Sequence, residues 1–126
     1  FQYQSLTEGT KQIRLLIVRP GEFTDPLECD IVHEDIGQES FKAYETISYC
    51  WGTETQRNTT TINGSTVSVP VSSARAIRRV RLVDRPRTIW IDAVCINQDN
   101  IRERGQQVAF MDDIYSNGTC NLIYLG

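Results

Sequence analysis

Strand-like apolar runs that alternate with helical periodicity constrain this chain more than any other feature. Glu45–Cys50 reads as a strand ending at Trp51-Gly52, and Arg87–Ile91 as a second, entered through the turn at Pro86. Between them lie a hairpin and a helix. Thr59–Val69 carries Asn63-Gly64 between β-branched flanks, the pair a type I′ turn favours because both central residues take positive φ. Val71, Ala74, Ile77 and Val80 then recur at helical spacing behind Pro70, with Ser72 or Ser73 available as the cap. A second helix is expected from Ile101 to Tyr115, with Ile101, Val108, Met111, Ile114 and Tyr115 on one side and Asn117-Gly118 as its stop. Cys120–Leu125 is a third apolar strand. The order strand, hairpin, helix, strand, helix, strand predicts an α/β core whose parallel strands are joined by right-handed crossovers.

Two further runs precede that core. Ile13–Val18 stops at Pro20-Gly21, and Leu27–His33 alternates Leu27, Cys29 and Ile31 with Glu28 and Asp30. They are expected to pair as an antiparallel edge extension over residues 1–43, ahead of a core over 44–126, in one compact unit. A chain of 126 residues can bury a core of its own. No apolar run approaches the roughly 18 residues needed to span a bilayer, and no signal-peptide pattern opens the chain, so a cytoplasmic location is expected. The missing initiator Met and the ending at Leu125-Gly126 point to part of a longer protein.

Cys29, Cys50, Cys95 and Cys120 show neither zinc-ribbon nor redox spacing and read as reduced thiols, the last three in or beside apolar runs where Cys acts as a small hydrophobe. The N-x-S/T triplets at Asn58, Asn63 and Asn117 mark turns expected to be exposed. A net charge of -3 argues against a generic nucleic-acid binder. Arg75, Arg78, Arg79, Arg81, Arg85 and Arg87 nevertheless crowd one stretch. They form either a solvated helix face with its exit loop, or a docking surface for phosphate, an acidic partner or a membrane. Arg75, Arg78 and Arg79 are the candidate contacts.

Ligands of open α/β sheets bind outside the carboxyl ends of the strands, which selects two loops. The first offers Ser48, Tyr49, Trp51 and Gly52. Alternation turns Ser48 one way and Tyr49 and Trp51 the other; Trp51 either stacks on a planar ligand or packs in the core. The second loop offers Asp92, Cys95, Asn97 and Gln98. Asp92 either caps local backbone N–H groups or binds a ligand, while the amides of Asn97 and Gln98 suit a nucleobase, ribose or peptide amide. Asn97, Asp99 or Asn100 could equally cap the next helix, with Glu103 neutralising its dipole. Cys95 as a nucleophile would need a base within reach, and His33, the single histidine, stands on a separate element. There is no dinucleotide fingerprint and no P-loop lysine; the lysines are Lys11 and Lys42.

These residues resemble a known family. Tyr44-Glu45-Thr46-Ile47-Ser48-Tyr49-Cys50-Trp51-Gly52 is similar to the Y-x-x-L-S-Y-x-W-G opening of the fungal heterokaryon incompatibility (HET) domain, and Trp90-Ile91-Asp92-Ala93-Val94-Cys95-Ile96-Asn97-Gln98 to its W-I-D-x-x-C-I-N-Q signature. Glu103-Arg104, Gln107, Met111, Ile114-Tyr115 and Leu125-Gly126 follow its tail in order, and Ile13-Arg14-Leu15-Leu16 resembles its I-R-L-L lead-in. Gly118 and Tyr124 depart from it, where Ala and Trp are usual. The resemblance implies a cell-death effector in non-self recognition, attached to a sensor and working by self-association. It also implies a fold distantly like Toll/interleukin-receptor (TIR) domains, hence a TIR- or flavodoxin-like core. Some TIR domains cleave NAD, so NAD(P) becomes a possible substrate; others only assemble as scaffolds. The TIR catalytic glutamate is expected beyond Gly126, and Glu103 does not stand in for it.

Overall fold

The computed structural model describes residues 1–49 and 56–124. Among the described residues seven strands form one sheet: β1 (Gln12–Val18), β2 (Glu28–Asp35), β3 (Glu45–Tyr49), β4 (Arg57–Ile62), β5 (Ser65–Pro70), β6 (Arg87–Trp90) and β7 (Asn121–Tyr124). The helices are α1 (Val71–Val80), α2 (Asp92–Cys95), α3 (Ile101–Ala109) and α4 (Met111–Asn117). The strand order is β5-β4-β2-β1-β6-β3-β7. β6, β3 and β7 run parallel, as the alternation of strands and helices predicts. The sheet as a whole is mixed, because β1 pairs antiparallel with both β2 and β6, and β4 with β5.

β1 and β2 pair antiparallel over their length, as expected, but not at an edge. β1 lies in the interior of the sheet, between β2 and β6. The reason is visible in its side chains: Ile13, Leu15, Leu16 and Val18 are all fully buried, so both faces of the strand need cover, and only an interior position supplies it. The β4–β5 hairpin turns at Asn63 (φ 51) and Gly64 (φ 81), as that pair of residues predicts. It adds to β2 through a short parallel contact, away from β3. The Asn63 carboxamide accepts from the Ile31 N–H at 2.9 Å, fixing the turn to β2.

α1 begins directly after Pro70, whose fixed φ suits a helix start, and neither Ser72 nor Ser73 caps it. Its buried line includes Ala74 and Ile77, as the spacing predicts. It covers the face of β3 that carries Ile47 and Tyr49. α4 lies over the opposite face, where Tyr44 donates to the Ile114 carbonyl at 2.6 Å and Trp90 meets Tyr115 edge-on. The expected single helix 101–115 is broken at Phe110, which leaves helical geometry (ψ 29) and separates α3 from α4. Its apolar stripe is also turned outward at one end: Ile101 is 81% exposed and Val108 61%, whereas Glu103 and Gln107 are the buried residues of α3. Gln107 reaches the Gln12 carbonyl at 3.1 Å, and Glu103 meets Arg14, so hydrogen bonding rather than apolar burial selects the inner face.

Candidate functional site

The carboxyl ends of β3 and β6 bring three polar side chains together. β3 delivers Tyr49, α1 delivers the buried Ser73, and α2 opens on Asp92 where β6 ends. The Tyr49 and Ser73 hydroxyls lie 2.9 Å apart. Burial pushes the Tyr49 phenol up to about 12; the Ser73 hydrogen bond opposes this, and the nearby Asp92 carboxylate adds to the rise. At neutral pH the phenol is therefore a neutral donor, suited to orienting a polar group rather than to taking a proton. Ser48 falls on the other face, as alternation predicts, and donates to the Asn121 Oδ1 at 3.2 Å, an oxygen also held by Thr46 at 3.0 Å. Trp51 and Gly52 lie outside the described residues.

The signature loop is held from within. The Asp92 carbonyl accepts from the Ile96 N–H at 3.2 Å and the Gln98 amide at 2.9 Å. The Asn97 N–H donates to the Glu103 carboxylate at 2.6 Å, and its side-chain oxygen accepts from the Asp99 N–H at 3.3 Å. Of the three possible caps for α3, Asn100 serves, accepting from the Glu103 N–H at 3.1 Å. Cys95 is fully buried, so it packs in the core and does not line a cleft; burial pushes its thiol up to about 12. His33 stands opposite Arg14 in the β1–β2 register, within β2 rather than at its end, and no described hydrogen bond joins it to Cys95. Asn97 and Gln98 line a groove of about 500 Å³ with Arg57, Val67 and Pro70 of the hairpin and with Tyr3. Tyr3 is anchored there by a 2.6 Å bond to the Val94 carbonyl.

The predicted cleft is thus divided: Tyr49 and Asp92 share one end of the sheet with Ser73, Ser48 faces Asn121, and Asn97 and Gln98 face the hairpin groove. Ser73, Asn121 and Tyr3 were not among the predicted residues. The sequence offers Ser73 only as one of two possible helix caps, and nothing local distinguishes the other two.

The arginine-rich stretch also divides. Arg78 donates to the carbonyls of Phe23 (3.0 Å) and Asp25 (2.7 Å). The buried Arg81 donates to the carbonyls of Pro26 and Asp25, both at 2.9 Å, and to that of Glu22. Arg87 forks onto Glu45 at 2.7 and 2.9 Å, and Arg85 pairs with its neighbour Asp84. Arg75 and Arg79 remain on the exposed side of α1. Asn58, Asn63 and Asn117 are themselves exposed, but only the Asn63 triplet sits in a tight turn; Asn58 lies within β4, and its triplet ends on the buried Thr60. Cys29 is buried but Cys120 is exposed, so the latter is no core residue; Cys50 lies outside the described residues. Among the described residues, no cluster of His, Cys, Asp and Glu could hold a metal ion, and no helix is long and apolar enough to cross a membrane.

A mixed α/β sheet whose parallel trio carries Tyr44–Tyr49 and Trp90–Gln98 at neighbouring strand ends defines the class, and comparison with known proteins gives it a family. The chain belongs to the heterokaryon incompatibility (HET) family, whose model, described as Heterokaryon incompatibility protein (HET), matches residues 44–126. It is 32% identical, over an alignment of 142 positions, to heterokaryon incompatibility protein 6, OR allele, of Neurospora crassa. That alignment takes in 100% of this chain and 21% of the relative, so the chain spans about a fifth of that protein's length. No solved structure matches the chain significantly.

Proposed function

We propose that this chain is the effector part of a fungal heterokaryon incompatibility protein, which triggers cell death in non-self recognition by assembling with copies of itself. In this reading residues 44–126 are the core, residues 1–43 extend it, and the unit works in the cytoplasm under an upstream sensor. Family membership supports the process. The observation that carries the mode of action is the internal bonding of the signature loop. Gln98 and Asn97 bind the chain's own backbone, and Cys95 is sealed in the core, which suits a rigid contact surface. The test is to express the intact protein in fungal cells, score viability, and follow its sedimentation in the same lysates. Death caused by protein that stays monomeric would overturn the reading.

A second reading, NAD(P) glycohydrolysis, is favoured by a different observation. Tyr49, Ser73 and Asp92 gather at the carboxyl ends of β3 and β6, and β3, first of the parallel trio, lies between the other two, as in flavodoxin-like sheets. Those groups could orient a polar ligand; no residue of this chain is assigned as the catalytic acid or base. Nicotinamide release from NAD by the intact, assembled protein is the expected result, and its absence would leave the scaffold reading alone.

A further inference from the structure

We propose that the outer edge of β2 from Ile31 to Asp35 is a docking site for an extended, cationic peptide segment of a partner protein, which adds to the sheet as a strand. β1 holds the inner edge of β2 along most of its length, but on the outer side β4 reaches only Glu28 and Cys29. Leu27 and Cys29 give their carbonyls to Thr61 and Asn63 of the hairpin, and the Ile31 N–H goes to the Asn63 carboxamide. The Glu28 carbonyl, in contrast, serves Arg19 on the β1 side at 2.9 Å. Odd-numbered residues therefore turn their backbone outward, and the period of two carries this on to His33 and Asp35. Beyond the hairpin tip, the Ile31 and His33 carbonyls and the His33 and Asp35 N–H groups have no partner among the described residues.

A hollow of about 630 Å³ runs along this edge. Ile31, Val32 and His33 all line it although they lie on alternate faces of the strand, so the hollow meets β2 edge-on, with Asn63 and Ser65 at its hairpin end. Tyr49 and Gln56, which flank residues 50–55, stand at the start of α1 and do not line it.

Charge selects the occupant. β2 carries Glu28, Asp30, Glu34 and Asp35 and no lysine or arginine. Arg19 takes up Glu28 and Asp30, at 3.7 and 3.0 Å. Among the described residues Glu34 and Asp35 form no ion pair; Asp35 takes only neutral donors, the Gly37 N–H at 2.9 Å and the Gln38 amide at 3.4 Å. The nearby cations are already matched, Lys11 by Asp113 and Arg14 by Glu103. The open half of the strand thus keeps its negative charge. Pairing this edge with its own copy would set like charges side by side, which destabilises a sheet, whereas a strand with lysine or arginine at alternate positions would meet Glu34. Main-chain hydrogen bonds supply the affinity of such an added strand, and the carboxylates its preference.

The inference rests on neither functional reading. The probe is a capped heptapeptide alternating lysine and valine, added to the intact protein and followed by fluorescence anisotropy. Its glutamate–valine counterpart is expected to bind at least about tenfold more weakly. N-methylating one alternate set of peptide amides should abolish binding and N-methylating the other should spare it, because a strand pairs through one edge at a time. Hydrogen exchange should find the His33 and Asp35 amides fast in the free protein and slowed by the lysine peptide. Glu34→Lys should weaken that peptide by about tenfold; the peptide controls leave the protein unaltered and decide the matter if this variant does not fold. No binding of the lysine peptide, equal binding of the glutamate peptide, or binding that survives both N-methylations would each overturn the proposal. So would slow exchange at His33 and Asp35 in the free protein, which would mean that a second copy or another part of the chain already holds the edge.

Discussion

Arg14 of β1 and Glu103 of α3, 89 positions apart, meet in a two-pronged ion pair with both prongs 2.7 Å long. Both side chains are almost completely buried. The Arg14 guanidinium also donates to the carbonyls of Cys95 at 3.2 Å and Gln4 at 2.7 Å, beneath the ring of Tyr3. Glu103 accepts the Asn97 N–H besides. One pair thus joins the N-terminal segment, the central strand, the loop 92–98 and α3.

Breaking that pair from one side strands a charge in the interior. Glu103→Ala is expected to cost about 3–5 kcal/mol in urea unfolding, because the guanidinium stays buried without its counter-charge. Arg14→Met combined with Glu103→Leu should cost less than the two single changes added together. A loss below about 1 kcal/mol for Glu103→Ala would show that the pair is not the clamp its geometry describes.

Gly64 offers a purely conformational test. Its φ is 81, and a Cβ added there would meet nothing within 4 Å. Gly64→Ala should therefore lower stability by about 1 kcal/mol through left-handed strain alone, with the hairpin retained. Thermal denaturation reads the loss, and cross-strand amide contacts between Thr61 and Thr66 read the hairpin.

The cysteines should separate by reactivity. Burial pushes Cys29 and Cys95 each up to about 12, whereas Cys120 is exposed. With iodoacetamide at pH 8, peptide mapping should find Cys120 alkylated in the native protein, and Cys29 and Cys95 only after denaturation. Native labelling of Cys95 would mean that the core beside Arg14 opens.

Stability should fall on the acid side. Burial, and then the charge of Arg14, hold His33 below its ordinary value of 6.5. The unfolded chain consequently takes up this proton first, so stability is intact above pH 6.5 and declines as pH falls towards the depressed folded value. Glu45, held below 4.5 by the Arg87 hydrogen bond, acts further down: its contribution is present above 4.5 and lost as pH drops through the lower folded value. His33→Gln should flatten the slope of urea midpoints just below pH 6.5 and leave the lower limb intact. An unchanged slope would assign the acid loss to the carboxylates.

Much of the fold was legible because it is written locally. Asn63-Gly64 specifies its own turn, the Ala74–Ile77 spacing specifies a helix face, and the parallel trio follows from strands separated by helices. The site was legible in part. Tyr49 and Asp92 do lie at neighbouring strand ends, but Ser73 joins them from α1, and Cys95 turns inward.

What the sequence by itself determined is the set of elements and the family signature, since propensity, turn chemistry and periodicity act over a few residues. Tertiary structure alone decided their neighbours. A strand such as β1 carries no local mark of which strands will flank it; the need to cover two apolar faces draws it to the interior. Helix α3 shows the same limit more sharply. Its apolar residues Ile101 and Val108 face outward, because inside Glu103 finds the Arg14 guanidinium and the Gln107 amide N–H finds the Gln12 carbonyl, and a buried polar group is tolerated in so far as such bonds replace those it made to water.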